Sequence, residues 1–262
     1  MIRLLHRIGD SSFGFLEQAG RLLLFLIRVL AKALRPPYCW RRVLRQIHFI
    51  GARSMLVILV AGLFTGMVLA LQFYDTLVRF GSTSLLGSAV ALAMIRELAP
   101  VLTALVVIGR AGSAICSELG IMRSDEQIDA LECMAIDPYR YLLVPKLLAC
   151  VISVPLLTSL FIMIGIGGGW FVAVVLFGLG EAAYFQGMYE TVVMHDIYMG
   201  FTKSLVFGLL IVWITSAKGF FLHLERCGAY GAEGVSRVTT DAVVAASISV
   251  LCADYLISAL VL

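Results

Sequence analysis

Five stretches of this chain are apolar for long enough to cross a lipid bilayer, which takes about 20 residues of α-helix. Unpaired backbone groups are costly in hydrocarbon, so a chain with several such stretches folds as a bundle of membrane-spanning helices. The composition agrees, because 61% of the residues are hydrophobic and 14% are charged, against about 25% charged residues in soluble proteins. The sequence predicts an all-α polytopic membrane protein with spans near Met55–Tyr74, Leu85–Ile108, Leu147–Gly178, Ser204–Leu222 and Ala242–Leu262.

The third stretch is ambiguous, since its 32 uncharged residues are long for one crossing and short for two. Pro155 and the glycines at 165–169 can either kink a single helix or break it into two. Charge decides between these alternatives, because residues 1–53 carry ten Lys and Arg against two acids, which predicts a cytoplasmic N-terminus. With one crossing, the acidic loop Glu181–Asp196 lies outside. We therefore expect five spans, with the N-terminus in the cytoplasm and the C-terminus outside.

The first 50 residues are expected to form a cytoplasmic or interfacial region ahead of the membrane domain, 51–262. Between Ser11 and Leu34, polar residues recur at helical spacing and form one narrow stripe: Glu17, Arg21, Arg28, Lys32 and Arg35. This pattern predicts an amphipathic helix that lies in the membrane interface. The apolar run Leu22–Ile27 is too short for a signal peptide, so the segment is expected to stay in the mature chain.

A polar segment of helix-forming residues, Glu118–Pro138, separates the second and third spans. Ser124 with Gln127 is a capping pair that predicts a helix start, and Asp137–Pro138 predicts its end. One face is apolar and the other acidic: Ile128, Leu131 and Ala135 against Asp125, Glu126, Asp129 and Glu132. Two interpretations stay open, a solvated loop helix or a docking helix for a soluble partner.

Arg96 and Glu97 lie in the middle of the second predicted span, where each charge must face protein, water or a polar ligand group. Lys203, at the start of the fourth span, is a candidate partner for Glu97. The pair either holds helices together or forms part of a binding site. An apolar stripe at helical spacing belongs to the core or forms the walls of a lipid pocket: Leu69, Phe73, Leu77 and Phe80.

Other motifs mainly exclude functions. The chain has no phosphate-binding loop of the G-x-x-x-x-G-K-[ST] type, so active transport would need energy from another subunit. The six cysteines and four histidines show no ligand spacing, which predicts no metal, and His195–Asp196 is interpreted as a loop pair. Two pairs of glycines four residues apart are a weak indication of a homodimer face: Gly62 with Gly66, and Gly165 with Gly169.

The sequence GRAGSAICSELGIMRSDEQIDALECMAIDPYRYLLVP, Gly109–Pro145, resembles the signature of the MlaE (YrbE) permease family. These are membrane subunits of ABC transporters that act with MCE-domain proteins to move phospholipids between bacterial membranes. The resemblance extends to RELAP at Arg96–Pro100 and to GAEGVSRVTTDAVV at Gly231–Val244. The chain departs from the family pattern at Lys146, Ser236 and Asp241, and Asp241 puts a phosphate contact at the start of the fifth span in doubt.

The resemblance implies a non-enzymatic permease of the Gram-negative inner membrane that contributes to outer-membrane lipid asymmetry. It implies a homodimer with ABC ATPase subunits, a STAS-domain subunit and a periplasmic MCE-domain subunit, with ATP and Mg bound in the ATPase and no cofactor in this chain. Phospholipid would be bound by Arg96, Glu97, Lys203, Leu69, Phe73, Leu77 and Phe80. The ATPase would be bound within 118–138 by Glu118, Arg123, Asp125, Glu126, Asp129 and Glu132. The alternatives are a passive scaffold for an ATPase or a permease for another hydrophobic substrate; a lipid-modifying enzyme lacks a suitable nucleophile and base.

Overall fold

The computed structural model describes residues 20–34, 40–222 and 231–261, and these residues form helices and no strand. Five of the helices are long and apolar enough to cross a membrane. The described helices are α1 (20–33), α2 (Trp40–Arg79), α3 (Thr83–Ser124), α4 (Gln127–Cys133), α5 (Tyr139–Leu176), α6 (Glu181–Thr191), α7 (Met194–Phe220) and α8 (Ala232–Val261). The predicted all-α class and the five spans, α2, α3, α5, α7 and α8, are confirmed.

The membrane helices extend well past the apolar runs that predicted them. Helix α2 has 40 residues and α3 has 42, about twice the length that the hydrocarbon requires. Their polar ends remain helical, so hydropathy located the crossings but not the helix ends. The domain division predicted at residue 50 falls inside α2, which runs unbroken from Trp40 to Arg79.

The ambiguous third stretch forms one helix, α5, and crosses once. Pro155 lies inside its α-helical part, Val144–Trp170, without ending it. A proline removes one backbone hydrogen-bond donor, and nearby hydroxyls bond to this part of the backbone. Ser159 Oγ donates to the Pro155 carbonyl at 2.9 Å, and Thr158 Oγ1 donates to the Val154 carbonyl at 2.9 Å.

Glycines allow α2 and α5 to pack backbone against backbone. A Cβ atom on Gly66 would lie 1.8 Å from the Gly165 carbonyl oxygen, and one on Gly168 would lie 2.5 Å from the Leu63 carbonyl oxygen. Only glycine fits at such distances, as at other close helix contacts in membranes. The sequence interpretation of these glycines as a homodimer face was wrong, because the structure uses them within one chain.

Helix α6 covers one end of the bundle and packs against the first turns of α3. A Cβ atom on Gly87 would lie 2.1 Å from the Tyr184 carbonyl oxygen. The Tyr184 side chain is buried, and its hydroxyl donates to the Ile166 carbonyl at 3.2 Å. Burial raises the pKa of Tyr184, so the hydroxyl keeps the proton that it donates. The predicted loop 181–196 is therefore mostly this helix.

Helix α1 lies against the bundle through one apolar face and exposes another. Its buried side chains are Phe25, Val29 and Ala33, and its exposed ones include Leu23, Leu24 and Ile27. The Phe25 ring lies 5.7 Å from those of Tyr139 and Phe220. An amphipathic helix with an exposed apolar face suits the membrane interface. Glu17 and Arg35 of the predicted stripe lie outside the described residues.

One ion pair connects α3 to α5 near the polar segment between them. Lys146 Nζ donates to Glu118 Oε2; the Lys146 side chain is 2% exposed and that of Glu118 is 47% exposed. Lys146 therefore has its charge neutralised inside the protein, whereas Glu118 is half in solvent. The lysine at 146, where the chain departs from the family pattern, thus serves to pair with Glu118.

We expect Gly66→Ala to lower the stability of the protein, because its methyl group would overlap the Gly165 carbonyl oxygen. Overpacking of this kind costs about 1–3 kcal/mol. The matched control is Gly167→Ala, whose added Cβ meets nothing within 4 Å. Thermal unfolding in detergent measures both, and equal melting temperatures for the two variants would contradict the close packing.

The Glu118–Lys146 pair should respond unequally to the loss of either partner. Glu118→Gln leaves a buried ammonium without a counter-charge, which costs about 3–5 kcal/mol. Lys146→Met leaves a carboxylate that solvent reaches, so its free energy of unfolding should stay within about 1 kcal/mol of wild type. Chemical unfolding of both variants in the same detergent tests this order, and the reverse order would refute it.

Candidate functional site

Five ionisable side chains from three helices meet inside the membrane bundle. They are Arg96 and Glu97 on α3, Asp196 and Lys203 on α7, and Asp254 on α8. The sequence singled out the first two and Lys203, and the structure brings these three together. It adds Asp196 and Asp254 to them. We call this set the charged cluster.

Lys203 is the centre of the charged cluster and is fully buried. Its Nζ lies 2.8 Å from Glu97 Oε2, 2.8 Å from Asp254 Oδ1 and 2.9 Å from the Arg96 carbonyl oxygen. An ammonium group has three donors, and three oxygen atoms surround this one. Lys203 therefore joins α3, α7 and α8. Its contacts fix the positions of the Glu97 and Asp254 side chains.

Arg96 is held from one side and open on the other. Its Nε and Nη2 both lie 2.8 Å from Asp196 Oδ1, and the Asp196 side chain is 2% exposed. The other oxygen of Asp196 accepts the Val193 backbone N–H at 3.1 Å and so caps the start of α7. Arginine has five N–H donors, of which these contacts use two. Since its side chain stays 39% exposed, Arg96 can also face a ligand.

The backbone around the cluster is irregular where these side chains leave α3. Residues Met94–Leu98 form a π-helical turn, an insertion that is often found at functional sites. Gly200 faces this turn, and a Cβ atom there would lie 2.6 Å from the Ile95 carbonyl oxygen. This glycine lies between Asp196 and Lys203, so both side chains reach α3.

Sequence reasoning missed three members of this arrangement. Asp196 was interpreted as part of a loop pair with His195, which was wrong, because it lies buried in the first turn of α7. Asp254 carried a usable signal, since it is an acid inside the fifth predicted span. Ser258 Oγ lies 3.2 Å from Glu97 Oε1, and nothing in the sequence pattern pointed to it.

The apolar stripe of α2 divides into two parts. Leu69, Phe73 and Leu77 are partly buried against the main core, whereas Phe80 is 76% exposed at the end of the helix. Their role as walls of a lipid pocket stays a prediction.

The polar segment after α3 is organised differently from the single helix that the sequence predicted. Helix α3 continues to Ser124, and the short helix α4 begins after Glu126, which has a left-handed backbone with φ of 57°. The Ser124–Gln127 capping pair does not form, because Ser124 Oγ accepts the Gly231 backbone N–H at 3.3 Å. Asp137 does not close α4 but caps the start of α5, where Oδ1 accepts the Tyr139 N–H at 3.1 Å.

The segment is nevertheless anchored and acidic. Ile128 is buried, whereas Ala135, expected on the same face, is exposed beyond the end of α4 with φ of 58°. Arg123 Nη1 donates to Asp129 Oδ1 at 2.7 Å and ties α4 to the end of α3. The acidic side chains on the open side are exposed: Asp125, Glu126, Asp129 and Glu132. Glu118, which pairs with Lys146, lies six residues before the end of α3.

No group of three or more His, Cys, Asp or Glu side chains suited to a metal ion occurs within 20–34, 40–222 or 231–261. The absence of a cofactor in this chain stays a prediction.

Residues 43–260 match the family model described as Permease MlaE. An intermembrane phospholipid transport system permease protein from Haemophilus influenzae is 38% identical over 261 residues, which cover 99% of this chain and 98% of the relative. A probable ABC transporter permease from Rickettsia prowazekii is 34% identical over 260 residues, covering 99% and 98%. The chloroplastic protein TRIGALACTOSYLDIACYLGLYCEROL 1 of Arabidopsis thaliana is 33% identical over 231 residues, covering 88% of this chain and 64% of the relative. With its five membrane-crossing helices and a match along nearly the whole chain, this protein belongs to the MlaE permease family.

Proposed function

We propose that this chain is the membrane subunit of an ABC transporter that moves phospholipids between the bacterial inner membrane and the periplasm or outer membrane. The observation that carries the proposal is the open side of the charged cluster. Arg96 and Glu97 are 39% and 44% exposed, and a charge that faces hydrocarbon costs about 2.5–3.5 kcal/mol. These side chains therefore border water or the polar part of a ligand.

The position of the cluster along α3 supports this interpretation. Arg96 follows the start of α3 by 13 residues, about 20 Å of helix, which places it well inside a hydrocarbon layer of about 30 Å. A phospholipid provides an anionic phosphate and apolar chains in one molecule, and the H. influenzae relative is named for phospholipid transport. Chemistry and family membership thus point to the same substrate class.

Each residue then has a separate role. Arg96 donates to the lipid phosphate while Asp196 holds the other edge of its guanidinium group. Lys203, whose three donors already face oxygen atoms, keeps Glu97 and Asp254 in place rather than contacting the lipid. The apolar stripe of α2 contacts the acyl chains. Gly66 and Gly165 are in contact, and Gly165 meets Met94 at the start of the π turn, so Leu69 lies close to the depth of the cluster.

Energy comes from an ATPase subunit that binds the acidic residues around α4 and that holds ATP and Mg. Helix α3 connects the two sites, because it contains Arg96 and continues to Ser124, 28 residues further on, about 42 Å of helix. A displacement of α4 reaches the charged cluster through this one helix. The buried side chain of Ile128 and the Arg123–Asp129 pair hold α4 against the end of α3.

The remaining subunits follow from the family resemblance. A second copy of the chain would enclose a cavity on the open side of the charged cluster, and STAS-domain and MCE-domain subunits would bind on the cytoplasmic and periplasmic sides. The positive N-terminal region supports a cytoplasmic N-terminus and, with five crossings, a periplasmic C-terminus. A passive scaffold would have no use for charges buried at this depth, and another hydrophobic substrate would lack the phosphate that Arg96 suits.

The deciding experiment uses the complete transporter reconstituted in proteoliposomes with fluorescent phospholipid. ATP should drive movement of the labelled lipid to or from the membrane, and a non-hydrolysable analogue should not. Lipid movement that is the same with and without ATP would reject an energy-coupled permease. Transport of an apolar probe without a phosphate at the same rate would reject phospholipid as the substrate.

Arg96→Gln should reduce lipid-stimulated ATP hydrolysis and lipid transport at least tenfold, because a hydrogen bond between charged groups contributes about 1.5–3 kcal/mol. The complex should still assemble, since Asp196 also caps α7 and Lys203 still joins the helices. Arg79→Gln is the matched control, because Arg79 forms an exposed pair with Asp75 at the end of α2. Both variants are compared by transport assay and size-exclusion chromatography.

A charge exchange separates ligand contact from simple helix pairing. The double variant Arg96→Asp with Asp196→Arg restores an ion pair between α3 and α7 but moves the positive charge. If Arg96 only joins helices, the double variant should regain transport. If Arg96 binds the phosphate, the double variant should regain assembly but not transport. Recovery of transport would therefore refute the proposed role of Arg96.

Neutralising Asp125, Glu126 and Glu132 together should weaken ATPase binding about tenfold and reduce its dependence on salt, as exposed interface charges do. Asp129 is left unchanged because it holds Arg123. The control neutralises Glu181 and Glu190, exposed acids on α6. Affinity is measured by titrating the ATPase onto the immobilised permease, and unaltered binding of the triple variant would exclude these acids from the interface.

A further inference from the structure

A second group of positive charges lies far from the charged cluster, around the Phe49 ring. Arg53 Cζ is 5.6 Å from the centroid of this ring and Arg110 Cζ is 5.2 Å from it. Arg110 Nη2 also donates to the Phe49 carbonyl oxygen. Helices α2 and α3 therefore bring two guanidinium groups to one aromatic ring. Arg110 lies 14 residues beyond Arg96 on α3, about 21 Å along the helix.

These two arginines lack a carboxylate partner within the described part of the chain, whereas both cations of the charged cluster, Arg96 and Lys203, have one. Arg110 Nε is moreover a buried donor with no hydrogen-bond acceptor. Two like charges held together repel each other, and a buried donor without an acceptor is costly. An anion between the guanidinium groups would relieve both costs.

The surroundings indicate where this anion comes from. Arg41, Arg45 and Arg53 follow one another at intervals that place them on one side of α2, and all three are exposed. Large apolar side chains beside them are also exposed: Trp40, Leu44 and Leu56. Tryptophan and arginine next to exposed leucine are typical of the boundary between headgroups and hydrocarbon. The site thus lies at the depth of lipid phosphates.

We infer that Arg53 and Arg110 bind the phosphate of an anionic membrane lipid, with the Phe49 ring in contact with both guanidinium groups. Guanidinium is suited to phosphate because its parallel N–H groups can donate to two oxygen atoms at once. The acyl chains of the lipid would lie along the exposed apolar face of α2 that begins at Met55. This site is separate from the transport pathway proposed above and does not depend on it.

The test uses the complete transporter in nanodiscs of phosphatidylcholine that contain a minor fraction of phosphatidylglycerol. After extraction into detergent, the retained lipids are counted by native mass spectrometry. Wild type should retain phosphatidylglycerol in preference to phosphatidylcholine. A basic residue near a membrane surface contributes about fivefold to binding, so Arg53→Gln should lose about fivefold of this preference and the double variant with Arg110→Gln roughly twenty-fivefold.

Arg53→Gln is the decisive single variant, because Arg110 also bonds to the backbone and its loss can disturb the fold. Arg53→Lys should retain most of the preference, and Arg79→Gln, at the opposite end of α2, should retain all of it. An unchanged preference in Arg53→Gln would overturn the inference. Release of the lipid by inorganic phosphate would assign the site to a free anion, and loss of a protein subunit with unchanged lipid would assign it to protein docking.

Transport of labelled lipid is measured on the same preparations, so that the lipid site and the proposed function are tested separately. Arg53→Gln should lose bound phosphatidylglycerol and still move lipid with ATP. A transporter that moves no lipid but keeps this preference would reject the proposed function alone.

Discussion

A buried ammonium group needs oxygen atoms around it, and this requirement organises the membrane domain. Lys203 obtains one carboxylate from α3, another from α8 and a backbone carbonyl from α3, while it lies itself on α7. Removing such a charge from water costs several kcal/mol unless its partners are well placed. The π turn of α3 and the glycine at 200 provide that placement, because they let α7 approach α3 closely enough for these contacts to form.

The bundle therefore combines two kinds of helix contact. Helices α2 and α5 meet backbone to backbone at glycines, where the fit leaves no room for movement or for another atom. Helices α3, α7 and α8 meet through ion pairs, whose partners can be exchanged for water or for the charged group of a ligand. The glycine contact between α2 and α5 is suited to a rigid part of the bundle. The ion pairs among α3, α7 and α8 are suited to a site that changes during transport. Helix α3 takes part in these ion pairs and also leads to the acidic segment around α4.

The sequence was sufficient to predict the five crossings of the described residues, because a helix that crosses the hydrocarbon must be apolar along about 20 residues. It was insufficient for helix ends, since residues 109–124 continue α3 although they include the charged Arg110, Glu118 and Arg123. Charges in apolar surroundings revealed Arg96, Glu97 and Lys203. Asp196 remained hidden because it is a buried side chain in the otherwise exposed first turn of α7, which a linear pattern cannot show. The local signals at 124–138 were assigned to one helix because capping residues do not reveal which helix they serve.

The direction in which the chain inserts has a consequence for assembly. Loop charges set the direction in which a chain inserts, so copies of one chain share that direction, and a twofold axis that relates two such copies runs along the bilayer normal. Carriers built from inverted repeats have, instead, a pseudo-twofold axis in the membrane plane, which makes their two openings nearly alike. The homodimer proposed above would have no such axis, so the two openings of its lipid pathway would differ in shape and charge.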